Sequence, residues 1–302
     1  MSARVRPLPA PLSPGGKIGV VAPAGPCPPE ALSAGVELLR GRGFAVLLAP
    51  NAHSRTGYLA GSDRERLDGI TWLIDQGVHA LVAARGGYGT MRLLPDLPWD
   101  RLASWQGWVV GFSDVTALHA ALATRFPRAT LHGPMVASLP RDPRGAALLV
   151  DWLSGHGPQK LFEVGSRHVL RPGVARGVSA GGTLAVLAAL AGTPFEPDYE
   201  GCVLFLEDVG EPLYRLDRLL TQLRLSSRLG RARAVVVGRL ARCGRGEAGW
   251  RDRWRELLLE AVPDAVVVEG LAFGHGGVNV PFPLGVEVEV DTIRGEIVWG
   301  GG

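Results

Sequence analysis

Short apolar runs alternate with helical patterns through the first half of the chain. Four of these runs are bounded by turn residues and are predicted to be buried strands: Lys17–Ala22, Phe44–Leu48, Ala80–Ala84 and Trp108–Gly111. Between them, Pro28–Gly41 and Asp63–Asp75 place apolar residues at helical spacing. Strands that alternate with helices are typical of a parallel sheet covered by helices. The pattern therefore predicts an α/β fold whose N-terminal domain has a parallel sheet of the Rossmann or flavodoxin type.

The pattern weakens in the middle of the chain and then resumes. Glycine and proline punctuate residues 155–176, which predicts a linker between an N-terminal domain (1–154) and a C-terminal domain (177–302). Beyond the linker, strands are predicted at Cys202–Leu206, Ala234–Val237, Ala265–Val268, Val286–Val290 and Ile293–Val298, and helices at Thr183–Ala191 and Arg215–Leu225. The C-terminal domain is therefore predicted to be a second α/β unit that is rich in strands.

The composition is that of a globular protein with a large core, since 46% of the residues are hydrophobic and 20% are charged. The net charge is +3 and the arginines are scattered, which argues against binding to nucleic acid. The three cysteines form no Cys-x-x-Cys pair and no histidines have metal-ligand spacing, so neither a disulfide framework nor a metal site is predicted. No secretory leader or membrane-spanning stretch is recognised. We therefore expect a cytoplasmic protein that contacts neither nucleic acid nor membrane.

The first candidate for chemistry is Ser113, just beyond a predicted buried strand. The run Trp108–Gly111 leads through Phe112 into this serine, and a helix follows it. A serine in that position projects its hydroxyl from the carboxyl edge of a parallel sheet, beside the free N–H groups of a helix N-terminus. The arrangement is that of a nucleophile elbow, although Val115 stands where the second glycine of G-x-S-x-G is usual. The alternative is that Ser113 only caps the helix.

Three further segments carry candidate groups. The run GGYG at residues 86–89 follows a buried strand, so its backbone N–H groups can approach an anion closely, although a plain turn fits equally well. Glu207 comes directly after an apolar run and is either a solvated acid or a carboxylate that orients a histidine. His275 lies between glycines, which suits an accurately turned general base. The order along the chain is Ser113, Glu207, His275, and we expect the three to meet in a cleft between the two domains.

These segments belong to an ordered set of motifs that runs over nearly the whole chain. The motifs are VVAPAG at 20–25, ARGGYG at 84–89, GFSDVT at 111–116, LHGPM at 131–135, GGTL at 181–184, LED at 206–208, YRLDRLL at 214–220, GH at 274–275 and PFPLG at 281–285. In this set the sequence resembles the serine LD-carboxypeptidases (muramoyl-tetrapeptide carboxypeptidases) and their relatives, the microcin C7 self-immunity hydrolases. Each motif alone is moderately specific, whereas the ordered set is highly specific.

The resemblance implies a role for each candidate residue. Ser113 would be the nucleophile, His275 its base and Glu207 the carboxylate that orients the base. The backbone N–H groups of Gly87 and Asp114 would form the oxyanion hole. The resemblance also implies an α/β N-terminal domain followed by a C-terminal domain, assembly as a homodimer, and neither metal nor cofactor.

The resemblance leaves the substrate open. A carboxypeptidase would hydrolyse the L,D-amide bond before the C-terminal D-alanine of a murein tetrapeptide during peptidoglycan recycling, and Arg85 is our candidate for binding the substrate carboxylate. Thr183 stands where the family commonly has an asparagine near the substrate, so an immunity hydrolase that cleaves peptidyl or aminoacyl sulfamoyl-adenylates is the alternative. For that substrate, Trp250 or Trp254 would stack on the adenine. A third hypothesis, of another class, is a small-molecule-binding α/β protein without catalysis.

Overall fold

The fold is built on two β-sheets in the computed structural model, which describes residues 5–125, 129–226 and 229–300. In chain order, the strands of the described residues are β1 (Lys17–Val21), β2 (Ala45–Leu48), β3 (Ala80–Ala83), β4 (Trp108–Gly111), β5 (Thr130–His132), β6 (Lys160–Glu163), β7 (Val169–Arg171), β8 (Val174–Thr183), β9 (Val203–Val209), β10 (Ala234–Ala241), β11 (Val266–Val268), β12 (Phe282–Leu284), β13 (Glu287–Asp291) and β14 (Glu296–Trp299). The helices are α1 (Pro29–Gly41), α2 (Asp63–Asp75), α3 (Thr90–Leu93), α4 (Trp99–Ser104), α5 (Thr116–Arg125), α6 (Pro143–Leu153), α7 (Leu184–Ala189), α8 (Leu213–Ser226) and α9 (Trp250–Ala261).

The first sheet has the strand order β12-β5-β4-β3-β1-β2. Strands β1 to β5 run parallel, and β12 pairs antiparallel with β5 at one edge. This confirms the predicted parallel α/β sheet, and the order of β1 to β5 is that of flavodoxin-like folds. From β1 the chain moves to one side for β2 and to the other side for β3. A crevice therefore opens between the loops that follow β1 and β3, at the position where open α/β sheets bind ligands.

Helix α2 illustrates how the sequence fixes the helices that cover this sheet. It begins at a capping box, in which Ser62 Oγ accepts from the Glu65 N–H (3.2 Å) and the Glu65 carboxylate accepts from the Ser62 N–H (2.7 Å). Ile70 and Leu73 then lie on its buried face and pack in the core of the first sheet.

Within the described ranges, no helix is long and apolar enough to cross a membrane.

The second sheet has the strand order β6-β14-β13-β8-β9-β10-β11-β7. Strands β8 to β11 run parallel, and antiparallel strands extend the sheet on both sides. The strand-rich C-terminal unit is thus confirmed, and the predicted strands Val286–Val290 and Ile293–Val298 correspond to β13 and β14, which pair antiparallel. Strand β8 escaped the sequence analysis because it is rich in glycine and alanine. Gly177 in β8 is required by close packing, since a Cβ there would lie 2.2 Å from the carbonyl oxygen of Gly201.

The segment 155–176 is more structured than the predicted linker. It holds β6, β7 and the start of β8, all of which belong to the second sheet. Glycine and proline in this segment therefore mark turns between strands rather than a plain connection. In the other direction, β12 lies in the predicted C-terminal domain but joins the first sheet through β5. The division into domains at residues 154 and 177 stays a prediction.

An aromatic cluster joins the two sheets. Phe282 of β12 stacks on Phe205 of β9 with ring centroids 4.3 Å apart, and on the imidazole of His132 of β5 at 4.7 Å. Phe273 packs edge-on against Phe282 at 5.1 Å. His132 is fully buried in this cluster. Because large aromatic groups from both sheets interdigitate here, the sheets are held at a fixed mutual position close to the loop that carries His275.

Because His119 and His132 are buried, we expect acid to destabilise the fold. Burial lowers the pKa of His132 to about 3 and that of His119 to about 4, from the usual 6.5. The unfolded chain binds protons at these sites below pH 6.5 whereas the folded chain does not. The stabilising contribution is therefore complete above pH 6.5 and is lost as the pH falls towards 4, with a slope of up to ~1.4 kcal/mol per pH unit for each histidine.

Urea unfolding at pH 7 and pH 5 measures this contribution. The free energy of unfolding should differ less between the two pH values in His132→Phe than in the wild type. The exposed His53 offers the control, because His53→Asn should leave the pH dependence unchanged. If the free energy of unfolding of His132→Phe depends on pH as strongly as that of the wild type, the lowered pKa of His132 is contradicted.

Candidate active site

Ser113 lies at a sharp turn between a buried strand and a helix. It follows β4 by two residues, and its φ of 62° is in the left-handed region, which is rare for a residue with a side chain. Gly111 permits the turn, because a Cβ there would lie 2.8 Å from Cγ1 of Val115. The elbow therefore forms although Val115 replaces the usual second glycine. The side chain of Val115 packs against Gly111, the first glycine of the motif. Its position at the carboxyl edge of the first sheet is the one that the sequence predicts.

Glu207 and His275 meet in the second sheet. Glu207 lies in β9 and is fully buried, whereas His275 lies in the loop between β11 and β12. Oε2 of Glu207 accepts hydrogen bonds from the ring Nδ1–H of His275 (2.7 Å) and from its backbone N–H (3.0 Å). The loop passes this closely because residue 274 is a glycine. Its φ of 83° favours glycine, and a Cβ at this position would lie 2.5 Å from the carboxylate of Glu207.

The imidazole of His275 connects the two sheets. Its Nε2 lies 3.1 Å from Oγ of Ser113, while Nδ1 binds Glu207. An ionised carboxylate only accepts hydrogen bonds, so Nδ1 carries the proton and Nε2 can accept the proton of the serine. The ring of Phe112 packs on the imidazole, with centroids 4.9 Å apart. The structure thus brings together the three residues that the sequence analysis selected.

The carboxylate of Glu207 is ionised although it is buried. Burial by itself would raise its pKa. The hydrogen bonds that His275 and the hydroxyl of Thr183 donate to the carboxylate outweigh burial and hold the pKa of Glu207 below its usual value. A buried negative charge beside Nδ1 stabilises an imidazolium, which is the state that His275 reaches when it takes a proton from a nucleophile.

Thr183 contacts this carboxylate rather than the open cleft. Its hydroxyl donates to Oε1 of Glu207 (2.5 Å), and only 5% of the residue is exposed. Its backbone N–H donates to Oγ1 of Thr116 at the start of α5 (3.1 Å). The hydroxyl donor of Thr183 is therefore used to hold Glu207, and the expectation that Thr183 binds substrate stays a prediction.

The N–H groups predicted to form an oxyanion hole flank Ser113. A Cβ on Gly86 would lie 2.9 Å from Oγ of Ser113, so the next residue, Gly87, is adjacent to the nucleophile. Among the hydrogen bonds of the described residues, the N–H of Gly87 has no acceptor. Asp114 is the second residue of the 3₁₀ turn that begins at Ser113, where N–H groups lack a partner within the helix. Its side chain accepts from the N–H of Thr90 (2.8 Å) and holds the turn in place.

A chain of hydrogen bonds that the sequence analysis missed holds the His275 loop. Oδ1 of Asn279 accepts from the N–H of Gly274 (2.8 Å), and the N–H of Asn279 donates to Oδ2 of Asp142 (2.8 Å). Asp142 also caps α6 by accepting from the N–H of Gly145 (2.9 Å). Asp142 and Asn279 are separated by 137 residues, so no local pattern relates them.

The remaining candidates lie in different surroundings. Arg85 follows β3, is exposed, and donates from Nη1 to the carbonyl of Pro26 (2.8 Å) at a cleft beside Gly87. Trp254 is 1% exposed in the core of the second sheet, so it cannot stack on a ligand. Trp250 is partly buried against the same core. In the part of the chain that the structure describes, no three His, Cys, Asp or Glu side chains cluster as metal ligands would.

Known proteins of similar sequence and structure point to one family. Residues 18–133 match the LD-carboxypeptidase N-terminal domain, and residues 176–290 match the LD-carboxypeptidase C-terminal domain. A putative carboxypeptidase of Streptomyces coelicolor is 41% identical, with 94% of each chain covered. A murein tetrapeptide carboxypeptidase of Pseudomonas aeruginosa is 31% identical over 89% of this chain and 91% of that protein. The microcin C7 self-immunity protein of Escherichia coli is 24% identical over 94% of this chain and 93% of that protein.

The fold agrees with these sequence matches. The crystal structure of a muramoyltetrapeptide carboxypeptidase from Oxalobacter formigenes superposes with a TM-score of 0.80 and 29% identity. The match covers 94% of this chain and 97% of that chain. The similarity therefore extends over both sheets.

The left-handed backbone at Ser113 predicts that the glycine variant is more stable than the alanine variant. Ser113→Gly and Ser113→Ala both lose the hydroxyl, but only glycine adopts a φ of 62° without the steric cost of a Cβ. We expect the free energy of unfolding of Ser113→Gly to exceed that of Ser113→Ala by about 1 kcal/mol. Urea unfolding of the two variants measures the difference. Equal stabilities would mean that the turn is not strained.

Proposed function

We propose that this chain, which belongs to the LD-carboxypeptidase family, hydrolyses the amide bond before the C-terminal D-alanine of a murein tetrapeptide. Membership of the family makes the chain an enzyme of the serine peptidase class. The proposal concerns its substrate and the role of each residue: Ser113 as nucleophile, His275 as base and Glu207 as the carboxylate that orients the base.

The observation that carries the proposal is the unbroken contact from a serine hydroxyl to a buried carboxylate. Oγ of Ser113 lies 3.1 Å from Nε2 of His275, and Nδ1 of the same ring lies 2.7 Å from Glu207. A general base must lie within about 2.6–3.2 Å of the group whose proton it takes. A binding protein without catalysis has no need of a strained serine in this position, so the geometry argues against the third hypothesis.

Acylation follows from this arrangement. Oγ of Ser113 attacks the carbonyl carbon of the residue before D-alanine, while its proton moves to Nε2 of His275. The carbonyl oxygen becomes an oxyanion, which the N–H groups of Gly87 and Asp114 stabilise. Glu207 stabilises the imidazolium. The C–N bond then breaks, His275 gives its proton to the leaving amine, and D-alanine departs.

Deacylation repeats the same proton transfers with water. His275 takes a proton from a water molecule, whose oxygen attacks the acyl carbon of the ester on Ser113. The second oxyanion lies against the same two N–H groups. When the ester bond breaks, Oγ regains the proton from His275 and the shortened peptide leaves with a new carboxylate. The free enzyme is restored.

The sequence relationships support a murein peptide as substrate. The relative named a murein tetrapeptide carboxypeptidase is 31% identical to this chain, compared with 24% for the self-immunity protein. We further propose that the enzyme acts in the cytoplasm, in the recycling of peptidoglycan peptides, and that it works as a homodimer without metal or cofactor.

The alternative substrate is a peptidyl or aminoacyl sulfamoyl-adenylate. One observation favours it: the exposed rings of Tyr58 and Tyr88 line the cleft beside Gly87, and such rings can stack on adenine. The same three catalytic groups would cleave either substrate. The two must therefore be compared directly.

Incubation of the protein with L-Ala-γ-D-Glu-meso-diaminopimelate-D-Ala should release free D-alanine, which amino-acid analysis measures. Ser113→Ala should lower kcat by about 10³-fold or more, since no other group replaces the nucleophile. A sulfamoyl-adenylate assayed beside the peptide should react more slowly. No release by the wild type, or equal release by the variant, would contradict the proposal, and faster cleavage of the sulfamoyl-adenylate would favour the alternative.

Thr183→Val removes the hydroxyl that holds Glu207 and keeps the size of the side chain. We expect kcat to fall about tenfold, because a hydrogen bond to a charged group contributes ~1.5–3 kcal/mol. KM for the tetrapeptide should hardly change, and Thr183→Ser should restore kcat. A higher KM with an unchanged kcat would instead mean that Thr183 binds the substrate, as the sequence analysis expected.

A further inference from the structure

A cleft of about 520 Å³ opens at the carboxyl edge of the first sheet, where the strand order reverses between β1 and β3. The loop after β1 contributes Pro26, the loop after β2 contributes Arg55 and Tyr58, and the loop after β3 contributes Arg85 and Tyr88. Its volume is that of a small-molecule site, and its position is the one where open α/β sheets bind ligands. We call it the switch-point cleft. It also includes Gly87, so it continues from the nucleophile.

The switch-point cleft is positively charged. It contains the guanidinium groups of Arg55 and Arg85, and none of the residues that line it is acidic. Arg85 is anchored by its hydrogen bond to Pro26, which leaves its other donors in a fixed direction. Arg55 is exposed and forms no ion pair with any residue of the described ranges. Many other arginines of the chain, such as Arg92, have a carboxylate partner. The cleft therefore offers two cations to an anionic ligand.

The two tyrosines of the cleft are exposed although the backbone around them is ordered by hydrogen bonds. Tyr58 is 65% exposed and Tyr88 51%, and their rings meet edge to face at 5.7 Å. The turn that carries Tyr58 is closed by two backbone hydrogen bonds between Thr56 and Leu59, of 2.9 and 3.0 Å. Because this turn is formed before a ligand arrives, little conformational entropy is lost when the phenol groups bind it.

We propose that the switch-point cleft is a subsite for a free carboxylate of the substrate, which Arg55 and Arg85 bind with the hydroxyls of Tyr58 and Tyr88 as further donors. This inference rests on the proposed function, since the murein tetrapeptide is a peptide with several free carboxylates. A planar guanidinium binds a carboxylate through two parallel hydrogen bonds and discriminates against a neutral amide. An adenine ring would use the tyrosines but would leave the two cations without a partner.

Three carboxylates of the tetrapeptide can supply this group. They belong to the γ-linked D-glutamate, to the side chain of diaminopimelate and to the C-terminal D-alanine. All three share the chemistry that the cleft recognises. Peptides in which one of them is converted to an amide distinguish the three sources.

The test compares the wild type with Arg55→Gln on the free tetrapeptide and on the three mono-amides. The wild type should lose about 10- to 100-fold in kcat/KM on one of the amides, because a charge-assisted hydrogen bond is lost. Arg55→Gln should lose a similar factor on the free peptide and lose little more on that amide. Arg42→Gln is the matched control. Arg42 is also exposed, but it precedes β2 and so lies at the amino edge of the first sheet, whereas the switch-point cleft lies at the carboxyl edge. It should behave as the wild type does.

Binding to Ser113→Ala, measured by calorimetry, separates this inference from the proposed function. If the wild type does not hydrolyse the peptide but Ser113→Ala still prefers the free acid in a manner that Arg55→Gln abolishes, the subsite stands and the proposed function fails. If the wild type hydrolyses the peptide and Arg55→Gln keeps the full preference for every carboxylate, the subsite is overturned and the function stands. Absence of both hydrolysis and binding overturns both.

Discussion

The buried charge of Glu207 is the constraint on which the site depends. The carboxylate is fully enclosed in β9, and hydrogen bonds from other segments compensate its charge: the ring and backbone N–H groups of His275 and the hydroxyl of Thr183. An ionised carboxylate deprived of such partners in a protein interior is destabilised by several kcal/mol. The loop that carries His275 is therefore held where its imidazole reaches Ser113. The same interaction that satisfies the fold also orients the base.

Close packing between the sheets makes this arrangement possible. A Cβ on Gly182 at the end of β8 would lie 2.4 Å from Oγ1 of Thr116 at the start of α5, so a glycine is needed where the helix after Ser113 meets the second sheet. Gly274 plays the corresponding part where the His275 loop crosses Glu207. Between these approaches, Phe205 and Phe282 stack across the sheets. Groups that lie far apart along the chain thus converge at the carboxyl edges of both sheets, and the switch-point cleft lies beside them.

The sequence predicted those parts of the structure that have local signals. Strand β4 is an apolar run that ends at a turn, and Ser113, Glu207 and His275 each interrupt an apolar or glycine-rich pattern abruptly. Strand β8 has no such signal, because small residues there serve close packing rather than burial of large side chains. Strand β12 contains Pro283, which fits only an edge position in the first sheet. The contact of Thr183 with Glu207 and that of Asp142 with Asn279 depend on register and on distant segments, so they require coordinates.

The central claim is that His275 donates from Nδ1 to Glu207 and presents an unprotonated Nε2 to Ser113. Nitrogen-15 NMR of protein labelled at histidine tests this most directly, because the two ring nitrogens have distinct shifts in each tautomer. At neutral pH the account predicts a proton on Nδ1 of His275 in the wild type and in Ser113→Ala, and loss of that preference in Glu207→Gln. A proton on Nε2 in the wild type, or a tautomer that ignores the change at residue 207, would contradict the account.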